Sequence, residues 1–294
     1  MATEIDVLLD IKTTLGEGPV WDAESQRLHW VDSADGRIFR STAQGTELCA
    51  WEVGEPVGSI AIGADNTHFI AALQTGLYRV DMESGAKELL VDPEPDEPTN
   101  RLNDGKVDRR GRFVFGSMDT LEEKPSGKLY SYDAEGGLSS LDTGIICSNG
   151  PCFSPDGSIL YFSDTWTGEI WSYDYDVDSG AVSSKRTFAT VDTSTGGAAD
   201  GATVDSEGCV WQALVYSGKI VRYSPEGEVD RVLEMPVLKA TSLAFGGPEL
   251  DILYVTSMAK PPLPRFPEDG QLRGALFAVT GLGVTGIAEP RYGK

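Results

Sequence analysis

Short apolar runs alternate along the chain with Gly-, Asp- and Ser-rich punctuation, and three kinds of run recur in a fixed order. The first is an apolar strand headed by a polar residue, as in Glu17-Gly18-Pro19-Val20-Trp21-Asp22, Asn149-Gly150-Pro151-Cys152-Phe153 and Asp200-Gly201-Ala202-Thr203-Val204. The second is strongly β-prone: residues 28–32, 68–73, 112–116, 159–163, 209–213 and 252–256. The third follows a glycine and ends on an aromatic or branched residue, as in Gly127-Lys128-Leu129-Tyr130 and Gly168-Glu169-Ile170-Trp171. Turn signals such as Pro155-Asp156-Gly157 and Ser206-Glu207-Gly208 separate the runs and supply residues that tolerate positive φ. No stretch has the periodicity of a long amphipathic helix.

The head positions are Glu17, Gly58, Asn103, Asn149, Asp200 and Thr241, spaced 41, 45, 46, 51 and 41 residues apart. A period of about 40–50 residues with three or four strands per unit is that of a propeller blade. The pattern therefore predicts an all-β, six-bladed propeller of four-stranded blades that takes up residues 1–294 as a single domain. The β-prone run Ile5–Asp10 belongs to no complete unit and is expected to join the Ala275–Thr280 strand in the sixth blade, closing the ring from both termini. In such a blade the head strand is innermost and starts at one face. Arg101 and the loops 118–126, 165–167, 215–217 and 257–273 should then form the mouth of a pocket over the channel.

Composition narrows the partners. The 46 acidic and 24 basic residues give a net charge of −22, which repels nucleic acid and anionic membrane. No apolar run approaches the ~18 residues of a spanning helix, and the N-terminus lacks the basic and apolar regions of a signal peptide, so a cytoplasmic protein is expected. A monomer or weak dimer is the expected state. Cys49, Cys147, Cys152 and Cys209 have no metal-site or disulfide-scaffold spacing and read as reduced, buried thiols.

The chemistry lies in the heads. Glu17, Asn103, Asn149 and Asp200 put an oxygen-bearing side chain at one equivalent position of four different blades. Convergent carboxylate and amide oxygens suit a divalent cation with open positions: calcium, magnesium or manganese by hardness, with zinc or iron(II) also able to occupy a three-ligand site. Asp104 stands where the other heads have glycine, which makes it either a substrate contact or a turn residue bonded to its own backbone. Arg101 is expected above the cation, where a guanidinium fork binds hydroxyl or carbonyl oxygens.

Other motifs lack their context. His29 and His68 are the only histidines and sit in second strands, which leaves no histidine zinc site and no Ser-His-Asp triad. Gly281-Leu282-Gly283-Val284-Thr285-Gly286 matches a dinucleotide fingerprint but has too little chain after it and reads as a C-terminal turn. Asp174–Asp178 resembles a calcium loop, yet Lys185 stands where the bidentate acid belongs, so a hairpin tip is expected.

The stretches LGEGPVWD (15–22), RLNDGKVDRRGRFVFGSMD (101–119), SNGPCFSPDGSILYFSDT (148–165) and DGATVDSEGCVW (200–211) resemble the regucalcin, gluconolactonase and luciferin-regenerating-enzyme family of six-bladed propellers. The resemblance implies one divalent cation held by Glu17, Asn149 and Asp200, with Asn103 as a shared fourth oxygen. It implies substrate contacts from Arg101 and Asn103, and Asp200 as general base. The substrate-binding Glu that animal regucalcins carry shortly after the SMD-like segment is shifted in register here, to Glu122, so the substrate of that subgroup does not carry over directly. Trp166 and Tyr216, on mouth loops, are expected to stack on a sugar. The function expected from these features is cation-dependent opening of a sugar-acid lactone. The alternatives are hydrolysis of phosphotriesters or other esters, and a non-catalytic propeller with a protein partner.

Overall fold

The runs pair as the period requires. In the computed structural model, which describes residues 2–261 and 269–294, six four-stranded antiparallel sheets are arranged in a ring. The chain is a six-bladed β-propeller. Its innermost strands are Gly16–Asp22, Val57–Ile62, Asn100–Val107, Ser148–Phe153, Ala198–Val204 and Ala240–Gly246, the six runs that carry the heads. Among the described residues the helical content is one short 3-10 turn at Thr193–Thr195, and no helix is long and apolar enough to cross a membrane.

The sixth blade closes as expected. Strand Glu4–Leu9 pairs antiparallel with Leu276–Thr280, Glu4 lying opposite Thr280 and Ile5 opposite Val279. This covers the outer edge of a strand whose Leu276, Phe277 and Val279 are buried. Apolar clusters fill the seams between blades. Trp211 and Phe245 meet edge-to-face across blades five and six, and Val31, Ile60 and Phe69 pack between blades one and two.

A β-bulge or register shift interrupts every inner strand at its head: between Glu17 and Val20, Val57 and Ser59, Leu102 and Gly105, Asn149 and Cys152, Ala199 and Ala202, and Ala240 and Leu243. A bulge breaks the two-residue alternation and re-aims one side chain, and the heads Glu17, Asn103, Asn149 and Asp200 all line one cavity. The glycine after the head follows from this. Gly150 has φ 61°, a left-handed conformation that costs a side chain strain.

The opposite face is closed by the C-terminus, which the sequence pattern marks only as a turn. Gly286 bridges to Asp205, Tyr292 N–H donates to the Ile62 carbonyl at 2.8 Å, and the Arg291 guanidinium grips Asp22 at 2.7 Å. The strap runs under blades one, two and five. The segment Asp174–Asp178 spans the end of one strand and a hairpin turn in which Asp176 accepts N–H and O–H from Ser179, as expected of a tip.

Candidate active site

Two aspartates set the height of two heads. Asp32, at the end of the second strand of blade one, accepts the N–H groups of Thr14 and Leu15 at 2.9 and 3.0 Å, just before Glu17. Asp164 does the same in blade four, accepting from Ile146 and Cys147 at 2.8 and 3.1 Å, just before Asn149. The two heads without a carboxylate or amide have a supporting part. Thr241 Oγ1 donates to the Gly16 carbonyl, and Gly58 leaves room for the next blade, since a Cβ there would lie 2.4 Å from Asn103 Cα.

The heads open on a small cavity of about 40 Å³ that reaches solvent. Of the expected site residues, Glu17, Arg101, Asn103, Glu122, Asn149, Trp166, Asp200 and Tyr216 all line it. Leu15, Cys147, Thr165, Val215 and Met258 complete the lining. Thr165 and Val215 belong to mouth segments that the period located, but nothing in the sequence pointed to their side chains. A larger groove of about 260 Å³ lies beneath the Pro-rich loop 92–99 and meets this site through Arg101. Of the mouth loop expected over 257–273, residues 262–268 lie outside the described residues.

Two expectations change. Asp104 does not line the cavity. Its Oδ1 accepts the Gly105 N–H at 2.8 Å and its Oδ2 accepts the Gly150 N–H at 2.9 Å, so it binds the backbone bend after Asn149 instead of presenting itself to a substrate. Asn103 does line the cavity, but its Oδ1 accepts from Arg101 at 2.6 Å, and its Nδ2 donates to the Ser148 carbonyl at 2.7 Å. Arg101 uses one of the two lone pairs of that oxygen, so Asn103 orients the guanidinium.

Glu17, Asn149 and Asp200 are each less than a tenth exposed. Glu17 Oε2 is buried without a hydrogen-bond partner. Burial, followed by the charges of Asp200 and Asp104, raises the Glu17 carboxyl well above its usual range, and Arg101 opposes the shift. Asp200 is raised likewise by burial, then by Asp104 and Glu122. One terminal atom of the Asn149 amide lies 2.7 Å from Thr165 Oγ1, and the other lies 3.1 Å from Asp200 Oδ1, 3.2 Å from the Ser148 carbonyl and 3.3 Å from Asn103 Nδ2, which donates to it when it is the oxygen. An orphaned carboxylate oxygen, two mutually repelling acids and an amide aimed at acceptors form a donor set short of positive charge, and a divalent cation fits it. Among the described residues no three His, Cys, Asp or Glu side chains cluster; the set is two carboxylates and an amide.

The rim has its own geometry. Trp166 Nε1 donates to Glu122 Oε2 at 2.9 Å, and the Trp166 ring stacks on Tyr216 at 6.4 Å with planes 14° apart. Glu122 and Tyr216 both have positive φ, 55° and 71°, strained conformations for residues with side chains. Buried Cys147 on the wall has its thiol pushed well up by burial and is inert. His29 is buried against Phe69 far from the heads, and desolvation lowers its pKa to about 3.

Residues 15–259 match the SMP-30/Gluconolactonase/LRE-like region, a span that holds every cavity residue named above. The chain belongs to this family. Two relatives of the family are a 6-deoxy-6-sulfogluconolactonase of Pseudomonas putida, 33% identical with 95% of each chain covered, and an L-arabinolactonase of Azospirillum brasilense, 37% identical over 87% of this chain and 85% of that one. The crystal structure of regucalcin from Agrobacterium tumefaciens, described as a calcium-binding protein, has a TM-score of 0.87 and 28% identity over 97% of this chain and 96% of that one.

Proposed function

We propose that the protein is a divalent-cation-dependent lactonase that opens a sugar-acid lactone to the free acid. The observation that carries this reading is the buried Glu17–Asn149–Asp200 oxygen set, with its unpartnered Glu17 Oε2, directly beside the Arg101 guanidinium. Relatives named as lactonases of gluconate- and arabinose-type substrates support the reaction class, and a calcium-binding relative supports the cation.

Glu17, Asn149 and Asp200 would hold the ion. When bound, a cation in such a site supplies Lewis-acid polarisation of a carbonyl. The remaining work belongs to the chain. Arg101, held in plane by Asn103 Oδ1 and the Leu102 carbonyl, has N–H groups left to bind ring or hydroxyl oxygens of the substrate. A cation held by Asp200 would keep its carboxylate ionised, the form a general base needs. In this reading Asp200 takes a proton from the attacking water and returns it to the departing ring oxygen. Trp166 and Tyr216 offer an aromatic wall for the C–H face of a sugar, with Leu15, Val215 and Met258 beneath.

The test is a panel of pentono- and hexonolactones with a phosphotriester alongside, assayed on chelator-stripped protein reloaded with single cations. Chelator-sensitive opening of an aldonolactone is expected. Chelator-sensitive cleavage of the phosphotriester alone would replace the lactone reading, and no hydrolysis of either would leave a binding protein.

A further inference from the structure

Asn149 differs from the two carboxylates of the set in one physical respect. A carboxylate offers oxygen whichever way it turns, whereas an amide offers oxygen on one side and N–H on the other. Something must decide which side faces the cavity. The amide atom away from Asp200 lies 2.7 Å from Thr165 Oγ1 and 3.6 Å from Cys147 Sγ. Thr165 is itself buried and fixed: its N–H donates to the Cys147 carbonyl at 3.0 Å, and its Oγ1 lies 3.4 Å from the same oxygen. When its hydroxyl proton is turned to Cys147, Oγ1 presents only lone pairs to Asn149 and so accepts the amide N–H.

We propose that Thr165 is a positioning residue for the cation site, holding the Asn149 N–H so that Oδ1 faces Glu17 and Asp200. This inference rests on the cation reading above. The reverse orientation is also open to the site. There the amide donates to Asp200 Oδ1 and the Ser148 carbonyl at 3.1 and 3.2 Å, and the Thr165 hydroxyl donates to the amide oxygen, while the hydrogen bond that Asn103 Nδ2 gives Asn149 Oδ1 at 3.3 Å is lost. A hydroxyl is the one small group that serves both orientations, because it donates or accepts by rotating its proton. Asn149 is thus a ligand with two states: oxygen inward with a cation present, N–H inward toward Asp200 without one. Loss of Thr165 Oγ1 leaves the Asn149 N–H only the weak Cys147 Sγ acceptor at 3.6 Å in the cation-bound state. In the cation-free state the group that loses Thr165 is the amide oxygen, and an under-satisfied carbonyl oxygen is better tolerated than a buried N–H.

Calcium and manganese affinities, measured by calorimetry on chelator-stripped protein, test this in the parent and in Thr165→Val, Thr165→Ser and Asn149→Ala. Partners that orient metal ligands are commonly worth 10–100-fold in affinity. Thr165→Val should bind at least about tenfold more weakly than the parent. Thr165→Ser should restore binding to about the parent value, with thermal midpoints of the cation-free proteins alike. Thr165→Ala carries the same expectation should the valine variant not fold. In the parent, cation addition should shift the Asn149 side-chain amide signals, assigned by their loss in Asn149→Ala. Parent-like affinity in both Thr165→Val and Thr165→Ala, or amide signals that cation addition leaves unmoved, would overturn the role of Thr165 while leaving the cation site intact. Absence of binding in the parent, or binding unaffected by Asn149→Ala, would overturn the site itself and this inference with it.

Discussion

Asp104 of the third blade reaches across the channel wall and accepts the Gly150 N–H of the fourth at 2.9 Å, one residue after Asn149. The contact ties the bend that aims a cavity residue to the neighbouring blade. Its own carboxyl is raised by burial, and Lys106 opposes the shift. Asp104→Ala should therefore act on stability: loss of an acceptor to two buried N–H groups costs about 1–3 kcal/mol. Arg101→Ala should instead raise KM for a lactone with little change in the denaturation midpoint. Measuring both quantities in both variants separates the roles, and parent-like stability of Asp104→Ala would contradict a structural role for Asp104.

Glu17 has a buried oxygen without a hydrogen-bond partner and a carboxyl raised by burial and by Asp200. Glu17→Gln removes the charge and leaves the volume. In chelator-stripped protein the variant should melt at or above the parent temperature, since an uncompensated buried charge is destabilising. It should also lose the stabilisation that added calcium or manganese gives the parent. A parent-like cation-induced shift in Glu17→Gln would remove Glu17 from the site.

The strap closing the lower face gives a pH dependence. Hydrogen bonds from Arg291 and Ser25 hold the Asp22 carboxyl below its usual value, against the opposing effect of burial. Since the folded pKa lies below the unfolded one of about 3.9, its contribution is fully present above that value and is lost as pH falls through the folded pKa. Asp22→Asn should be less stable than the parent at neutral pH, and the gap should narrow below about pH 4. Urea midpoints at neutral pH and near pH 3 check the sign.

Removal of residues 2–9 deletes the outer strand of the sixth blade and bares the edge of Leu276–Thr280. The truncated chain should unfold at markedly lower denaturant, and its open edge should promote self-association, because an unpaired strand edge is a template for pairing. Unchanged unfolding and a monomeric elution profile would mean the ring is closed by other contacts.

The parts of this molecule that sequence reveals are the ones that repeat. Six heads at a near-constant spacing locate the inner strands, and Glu17, Asn149 and Asp200 stand out because an oxygen recurs there in different blades. What does not repeat is harder to read. Asp104 occupies a glycine position, and only the fold shows that its carboxylate spans to Gly150. Asn103 resembles another oxygen of the set, but its orientation depends on Arg101, two residues away on the same bulged strand. Thr165 and the strap ending in Arg291 and Tyr292 act through tertiary contacts, for which the local pattern has no signature.

Asp200→Asn tests the account most directly. The asparagine keeps the volume and one oxygen but cannot accept a proton from water. On the aldonolactone best opened by the parent, at saturating cation, kcat should fall by about 10²–10⁴, as for loss of a general base, while the thermal midpoint of the cation-free protein stays at or above that of the parent. Turnover at the parent rate with the cation bound would contradict the central claim that this buried oxygen set is the catalytic site.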